Sequence, residues 1–191
     1  MLNIIENYLL KKLIVIAKNL RLQSFKNHKR VNPLLEDLID WKERGEFLFG
    51  KKNITVYGSS TIVGDVKVGK NSWIGPYTAL DGAGGLEVGE NCSISSGVNI
   101  VSHDSIKWAL SGGLEDYEYA PIFIGNNCFI GTKAFIGKGV KIGNNCLIAA
   151  GAVVTKSFGD NSIIGGIPAK RIGIVEILAN GYVKLIYKTS I

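Results

Sequence analysis

The sequence predicts an all-β fold, a parallel β-solenoid, with a helical segment at its N-terminus and a hairpin-like tail at its C-terminus. Three observations predict it. Aliphatic residues recur every six positions through two long stretches, a small or β-branched residue stands two positions before each, and Gly and Asn fill the gaps between them. Glycine numbers 24 and proline 4 in 191 residues. That composition suits many tight corners and excludes collagen and Pro-rich linkers.

Residues 1–50 read as an N-terminal helical extension. Leu2, Ile5, Leu9, Leu13, Ile16 and Leu20 recur at spacings of three and four, the period of an amphipathic helix. Lys11, Lys12, Lys18, Arg21, Lys26, Lys29 and Arg30 stand against Glu6 alone in residues 1–30, so this segment holds all of the net charge of +6. The remaining chain is neutral, which argues against a nucleic-acid partner. Glu6, Lys11 and Lys12 interrupt the apolar run and no small-residue cleavage site follows, so the segment does not read as a secretion signal. Leu13 to Ala17 is too short to span a membrane. The structural expectation is that the apolar stripe packs on its own protein; the alternative is peripheral membrane contact through residues 1–30. A second helix is expected from Pro33 to about Arg44, capped by Asn32.

Residues 51–172 read as the solenoid. Ile124, Ile130, Ile136, Ile142, Ile148 and Val154 lie six apart, preceded two positions earlier by Ile122, Cys128, Ala134, Val140, Cys146 and Ala152. In a strand, residues i and i−2 share a face, so both columns point inward. Gly125-Asn126-Asn127, Gly137-Lys138-Gly139 and Gly143-Asn144-Asn145 supply residues that tolerate positive φ at sharp corners. The first half repeats the pattern at Ile62, Val68, Ile74 and Leu80, with Val66, Ser72 and Thr78 at the small position. It slips by two through Gly82-Ala83-Gly84-Gly85, then resumes at Val88, Ile94 and Ile100 with Cys92 and Val98 inward. Between Ile100 and Ile124 the period lapses, and residues 104–121 read as an excursion loop.

The three cysteines all occupy the small inward position, where a free thiol packs as a hydrophobe. Three is a poor disulfide set, so the expected compartment is reducing and cytoplasmic, with the inner membrane face as its one elaboration. Residues 173–191 form a capping tail in which Asn180-Gly181 between Ile174–Leu178 and Tyr182–Lys188 signals a hairpin.

The Ile-Gly hexapeptide, the segment Ile100-Val101-Ser102-His103-Asp104 and the ending Gly151-Ala152-Val153-Val154-Thr155-Lys156…Gly165-Gly166-Ile167-Pro168-Ala169-Lys170 resemble the hexapeptide-repeat acyltransferases, within them the galactoside, maltose and polysaccharide O-acetyltransferase branch. The resemblance covers about residues 54–172. It implies a left-handed parallel β-helix, a hand that general crossover rules would not suggest. It also implies a homotrimer with acetyl-coenzyme A between subunits, and transfer of acetyl to a sugar hydroxyl in cell-surface polysaccharide biosynthesis. By motif position, coenzyme A contacts fall on Thr132, Ala150, Thr155, Lys156 and Lys170, with Arg171 as an extra phosphate partner. Ala149 stands where the family has glycine.

A hydroxyl attacks a thioester well only if a base takes its proton, and imidazole suits that task. Of the two histidines, His28 sits in a basic patch, whereas His103 lies where the repeat breaks and matches the family's catalytic histidine. Asp81, Asp104 and Glu87 are candidates to orient its ring. Asp81, Asp104, Trp108 and Tyr117, with Tyr119, are candidates to touch the acceptor. No metal is expected, since two distant histidines make a poor zinc set. The rival readings are N-acetylation of a nucleotide-linked amino sugar and a catalytically silent solenoid scaffold.

Overall fold

Register defines the architecture. A computed structural model describes residues 4–29, 31, 36, 38–50 and 52–188. Thr55 pairs with Trp73, Thr61 with Ala79, Phe123 with Lys141, Phe129 with Leu147 and Phe135 with Val153, every pair parallel and eighteen positions apart. Eighteen is three hexapeptides, so each coil has three sides. The first side stacks β1 (Thr55–Val56), β3 (Trp73–Ile74), β5 (Ser93–Ile94), β10 (Phe129–Ile130), β13 (Leu147–Ile148) and β15 (Ser162–Gly165). The second stacks the starts of β2 (Thr61–Val68) and β4 (Ala79–Val88) with β6 (Asn99–Val101), β11 (Phe135–Ile136) and β14 (Val153–Val154). The third stacks the ends of β2 and β4 with β9 (Ile122–Ile124) and β12 (Lys141–Ile142).

Both periodic columns point inward as the sequence predicts. Ile130, Ile136, Ile148 and Val154 are sealed from solvent, as are Cys128, Ala134, Cys146 and Ala152 to within 2%. Alternating large and small side chains fill a narrow interior at crystal-like density. The two-residue slip resolves inside β4, whose pairing with β2 shifts between Gly64 and Val66. Gly64 takes φ +73°, and a Cβ there would overlap the Gly82 backbone of the next coil, so this corner accepts only glycine.

The N-terminal end is closed by a helix that runs past the expected end near Arg44; within the expected span from Pro33, Glu36 and Leu38 are helical as well. It is α2 (Trp41–Phe49), whose N-cap is Asp40; Oδ1 accepts N–H bonds from Lys42 and Glu43. The expected Asn32 cap and Pro33 start lie outside the described residues, as does the side chain of His28. Trp41 stacks on Tyr57 at 3.9 Å. Arg44 donates to the carbonyls of Tyr57, Gly58 and Ser60, and buried Glu36 accepts from the N–H groups of Gly58 and Ser59. These bonds satisfy the backbone of the first rung, which has no coil beneath it.

The longer helix α1 (Ile4–His28) differs from the structural expectation. No residue from 5 to 27 is buried, and the apolar stripe meets solvent rather than the solenoid. At the other end β16 (Lys170–Ile177) turns back antiparallel on β15 and then pairs with β17 (Val183–Tyr187). Gly181, at φ +82°, makes the predicted hairpin turn.

Candidate functional site

The site is built where the excursion leaves the second side. β6 stacks on β4 with Asp81 opposite Val101. His103 follows two positions later in β7 (His103–Asp104), which pairs antiparallel with β8 (Glu118–Tyr119) as His103 opposite Tyr119. Between these strands lies a short helix, α3 (Ile106–Leu110). The residues read as a loop are therefore a two-stranded flap with a helical tip.

The flap closes tightly at its base. Ala120 N–H donates to the Ser102 carbonyl at 2.9 Å and Gly84 N–H to Ser102 Oγ at 2.8 Å. A Cβ on Gly84 would stand 2.5 Å from the Ser102 carbonyl oxygen and 2.9 Å from the Ala120 nitrogen. The glycine run therefore serves the approach of the flap as well as the slip in register.

Among the described residues, Asp81 is the carboxylate brought to the histidine. Its Oδ2 lies 2.5 Å from His103 Nδ1. Nδ1 is sealed from solvent and makes no aligned hydrogen bond, so the carboxylate approaches it off the axis of a ring N–H. The other Asp81 oxygen accepts the Ala83 N–H at 2.7 Å, which fixes the carboxylate. The His103 side chain remains 32% exposed. With Nδ1 sealed, that exposure belongs to the Nε2 side of the ring.

Asp104 and Glu87 face elsewhere. Asp104 Oδ2 pairs with Lys138 Nζ at 2.8 Å, and Glu87 pairs with Lys67 at 3.1 Å. Lys138 also binds Glu118, whose other oxygen meets Lys107 at 2.6 Å. Lys138 belongs to the next coil, in the column above Ser102, so this cluster ties both flap strands to the body. The Lys138 ammonium holds the Asp104 carboxyl below its ordinary range, and Lys107 followed by Lys138 does the same to Glu118. The hydrogen bonds that the Lys138 ammonium donates to these carboxylates, Asp104 first, raise its own pKa in turn.

Aromatic rings wall the histidine. Tyr119 lies 5.7 Å and Tyr117 6.4 Å from the imidazole centroid, both near parallel to it, and Trp108 meets Tyr117 edge-on at 5.6 Å. All three are at least 41% exposed, which leaves them free to meet a ligand.

The six residues expected to hold coenzyme A are all exposed, and register places them on the body in two groups. Ile100 pairs with Ile136 and Ile136 with Val154, so Thr155 and Lys156 follow the second side at the corner where His103 leaves it, two coils further along. At strand spacing that is about 10 Å. Thr132 and Ala150 lie at the preceding corner, where Gly151 N–H donates to the Thr132 carbonyl at 2.9 Å. Lys170 and Arg171 sit opposite Gly165 and Ile164 at the end of the first side. Lys156 lies over the Phe158 ring at 5.9 Å. Among the described residues no group of three or more His, Cys, Asp or Glu is placed to hold a metal ion.

Sequence reasoning missed Lys138 and Glu118. A signal was present: counting eighteen from Ala120, and allowing for the flap, puts Lys138 in the same column as Ser102 and Lys156.

Comparison with known proteins gives concordant results. Residues 121–156 match a family described as the hexapeptide repeat of succinyl-transferase. CapG of Staphylococcus aureus is 45% identical over 92 residues, which cover 48% of this chain and 54% of CapG. Galactoside O-acetyltransferase of Escherichia coli (strain K12) is 28% identical over 125 residues, covering 55% of this chain and 62% of that enzyme. The chain thus spans only about half to three-fifths of the curated relatives it matches. Among solved structures, a maltose O-acetyltransferase from Clostridium difficile 630 superposes with a TM-score of 0.54 at 26% identity, covering 88% of this chain and 89% of that one. AntD, an N-acyltransferase from Bacillus cereus in complex with dTDP and 3-hydroxybutyryl-CoA, gives 0.59 at 21% identity over 70% and 87% of the two chains.

Proposed function

Because the chain is a hexapeptide-repeat protein of the left-handed β-helix acyltransferase superfamily, we propose that it moves an acetyl group from acetyl-coenzyme A to a sugar hydroxyl. The observation that carries this reading is the His103–Asp81 pair, held at one corner of the solenoid with Nδ1 sealed and the rest of the ring open. Similarity to the galactoside and maltose O-acetyltransferases supports a saccharide acceptor, and we assign the reaction to cell-surface polysaccharide biosynthesis.

In the mechanism, His103 Nε2 takes the acceptor hydroxyl proton as the oxygen attacks the thioester carbonyl. Asp81, beside Nδ1, favours the imidazolium that forms, as an ionised partner does in other acyl-transfer sites. Collapse of the tetrahedral intermediate breaks the C–S bond, and the departing sulfur takes the proton back from Nε2. Trp108 and Tyr117, with Tyr119, offer apolar faces to a sugar ring. Asp104 serves by holding the flap through Lys138 rather than by touching the acceptor. The pantetheine arm and phosphates of the co-substrate fall to Thr132, Ala150, Thr155, Lys156, Lys170 and Arg171, in a homotrimer whose neighbouring subunit completes the pocket.

A second reading is N-acetylation of a nucleotide-linked amino sugar. The fold likeness to AntD, whose structure holds dTDP, favours it. The deciding experiment is an acceptor panel of oligosaccharides against nucleotide amino sugars, read by release of free thiol from acetyl-coenzyme A, with His103→Ala as control. Turnover on oligosaccharides upholds the first reading and turnover confined to amino sugars the second. No thiol release and no acetyl-coenzyme A binding by calorimetry would overturn both.

A further inference from the structure

Helix α1 is the longest described helix, and none of its described side chains is buried. Ile5, Tyr8, Leu9, Leu10, Leu13, Ile14, Val15, Ile16, Leu22 and Phe25 are each between 44% and 69% exposed. At 100° per residue, Ile5, Leu9, Leu13, Ile16 and Leu20 stack along one face. Lys11 and Lys18 fall opposite it together with Ile14, Leu22 and Phe25, and Lys12, Arg21 and Lys26 fall on its flanks. The helix has five cations and one carboxylate. We propose that α1 lies in the interface of an anionic lipid bilayer, with its apolar face in the acyl boundary and its cations among the headgroups.

Three features of the chain favour that occupant. Charge is the first: coiled-coil seams are framed by charges of both signs, and parallel copies of α1 would instead bring five cations against five. An anionic surface attracts these cations, those on the flanks most directly. Depth is the second. No described helix is long and apolar enough to cross a membrane, yet at 25 residues α1 is as long as helices that lie along one. Side-chain chemistry is the third. Lys12 lies over the Tyr8 ring at 5.5 Å on the flank of the apolar face, which pairs an aromatic body with a cationic tip, a combination suited to a headgroup boundary. The inference stands apart from the acyl-transfer reading, since it uses no residue of that site.

Co-sedimentation of the full chain with vesicles tests it. The expected result is binding to phosphatidylcholine vesicles containing about 30% phosphatidylserine, weak binding to phosphatidylcholine alone, and loss of binding as salt screens the charge. Two variants, Lys11→Glu with Lys12→Glu and Lys18→Glu, and Leu9→Asp with Leu13→Asp, are each expected to lose tenfold or more in partitioning. Their thermal melts should match the parent, because nothing in α1 is buried in the body. Absence of binding to anionic vesicles overturns the proposal. So does binding that both variants retain. A change of oligomeric state in the Leu9/Leu13 variant without vesicle binding by the parent would assign the helix to self-association instead.

Discussion

Asp81 and His103 meet across adjacent coils of the solenoid, carboxylate oxygen to Nδ1 at 2.5 Å, because β4 and β6 stack with Asp81 opposite Val101. The pair is thus a product of strand register. The second oxygen of Asp81, on the Ala83 N–H, keeps the carboxylate from turning away.

His103→Ala is expected to lower turnover by about 10²–10⁴, the usual worth of a general base, with acetyl-coenzyme A affinity unchanged. Asp81→Asn keeps the shape and removes the charge, so it should lower kcat at least about tenfold and leave KM for acetyl-coenzyme A within twofold. Steady-state kinetics with calorimetry separates the two. Loss of affinity with turnover preserved per bound enzyme would make His103 a binding residue.

The flap should loosen at both ends of the pH scale. Asp104 and Glu118 are held low by Lys138 and Lys107, so their contribution is present above the ordinary carboxylate pKa of about 4 and is lost as pH falls through their lowered values. Lys138 and Lys107 are raised, so theirs is present below about pH 10 and is lost as pH climbs through the raised values. Limited proteolysis between residues 104 and 121 should quicken at both extremes. In Lys138→Met it should be fast at neutral pH, with the melting temperature little changed.

Gly84→Ala forces a Cβ against the Ser102 carbonyl at 2.5 Å. Backbone must move, at a cost of about 1–3 kcal/mol. A thermal melt is expected to show the loss, and Tyr119 and Ala120 should shift most in amide spectra. Unchanged stability would mean that the flap base is softer than its two hydrogen bonds suggest.

Cys92, Cys128 and Cys146 are each 2% exposed and lie stacked, each sulfur directed at a backbone carbonyl of the following coil. A thiol reagent should therefore label none of them in the native protein and all three in denaturant. Fast labelling of a single cysteine, with loss of activity, would contradict the structural role.

A site completed by a neighbouring subunit, as proposed above, requires assembly. Light scattering should give three times the chain mass of 20.6 kDa. A fully active monomer would end the trimer proposal.

Sequence alone determined the solenoid, its inward columns, the excursion and the C-terminal hairpin. Each of these is written in local period: a period of six with inward positions at i and i−2 calls for a coil of short strands once Gly and Asn turn the corners, although its hand is not written there. His103 was legible too, as a titratable group where the period stops. The tertiary structure decided what register and insertion determine. The two-residue slip at Gly82–Gly85 and the flap after His103 move every later residue by an amount that local pattern does not encode. Asp81, Asp104 and Glu87 were therefore equivalent until the coils were stacked, and Lys138 read as a turn residue. The same limit applies to α1: spacing defines an apolar face, but only the folded chain showed that the solenoid leaves it uncovered.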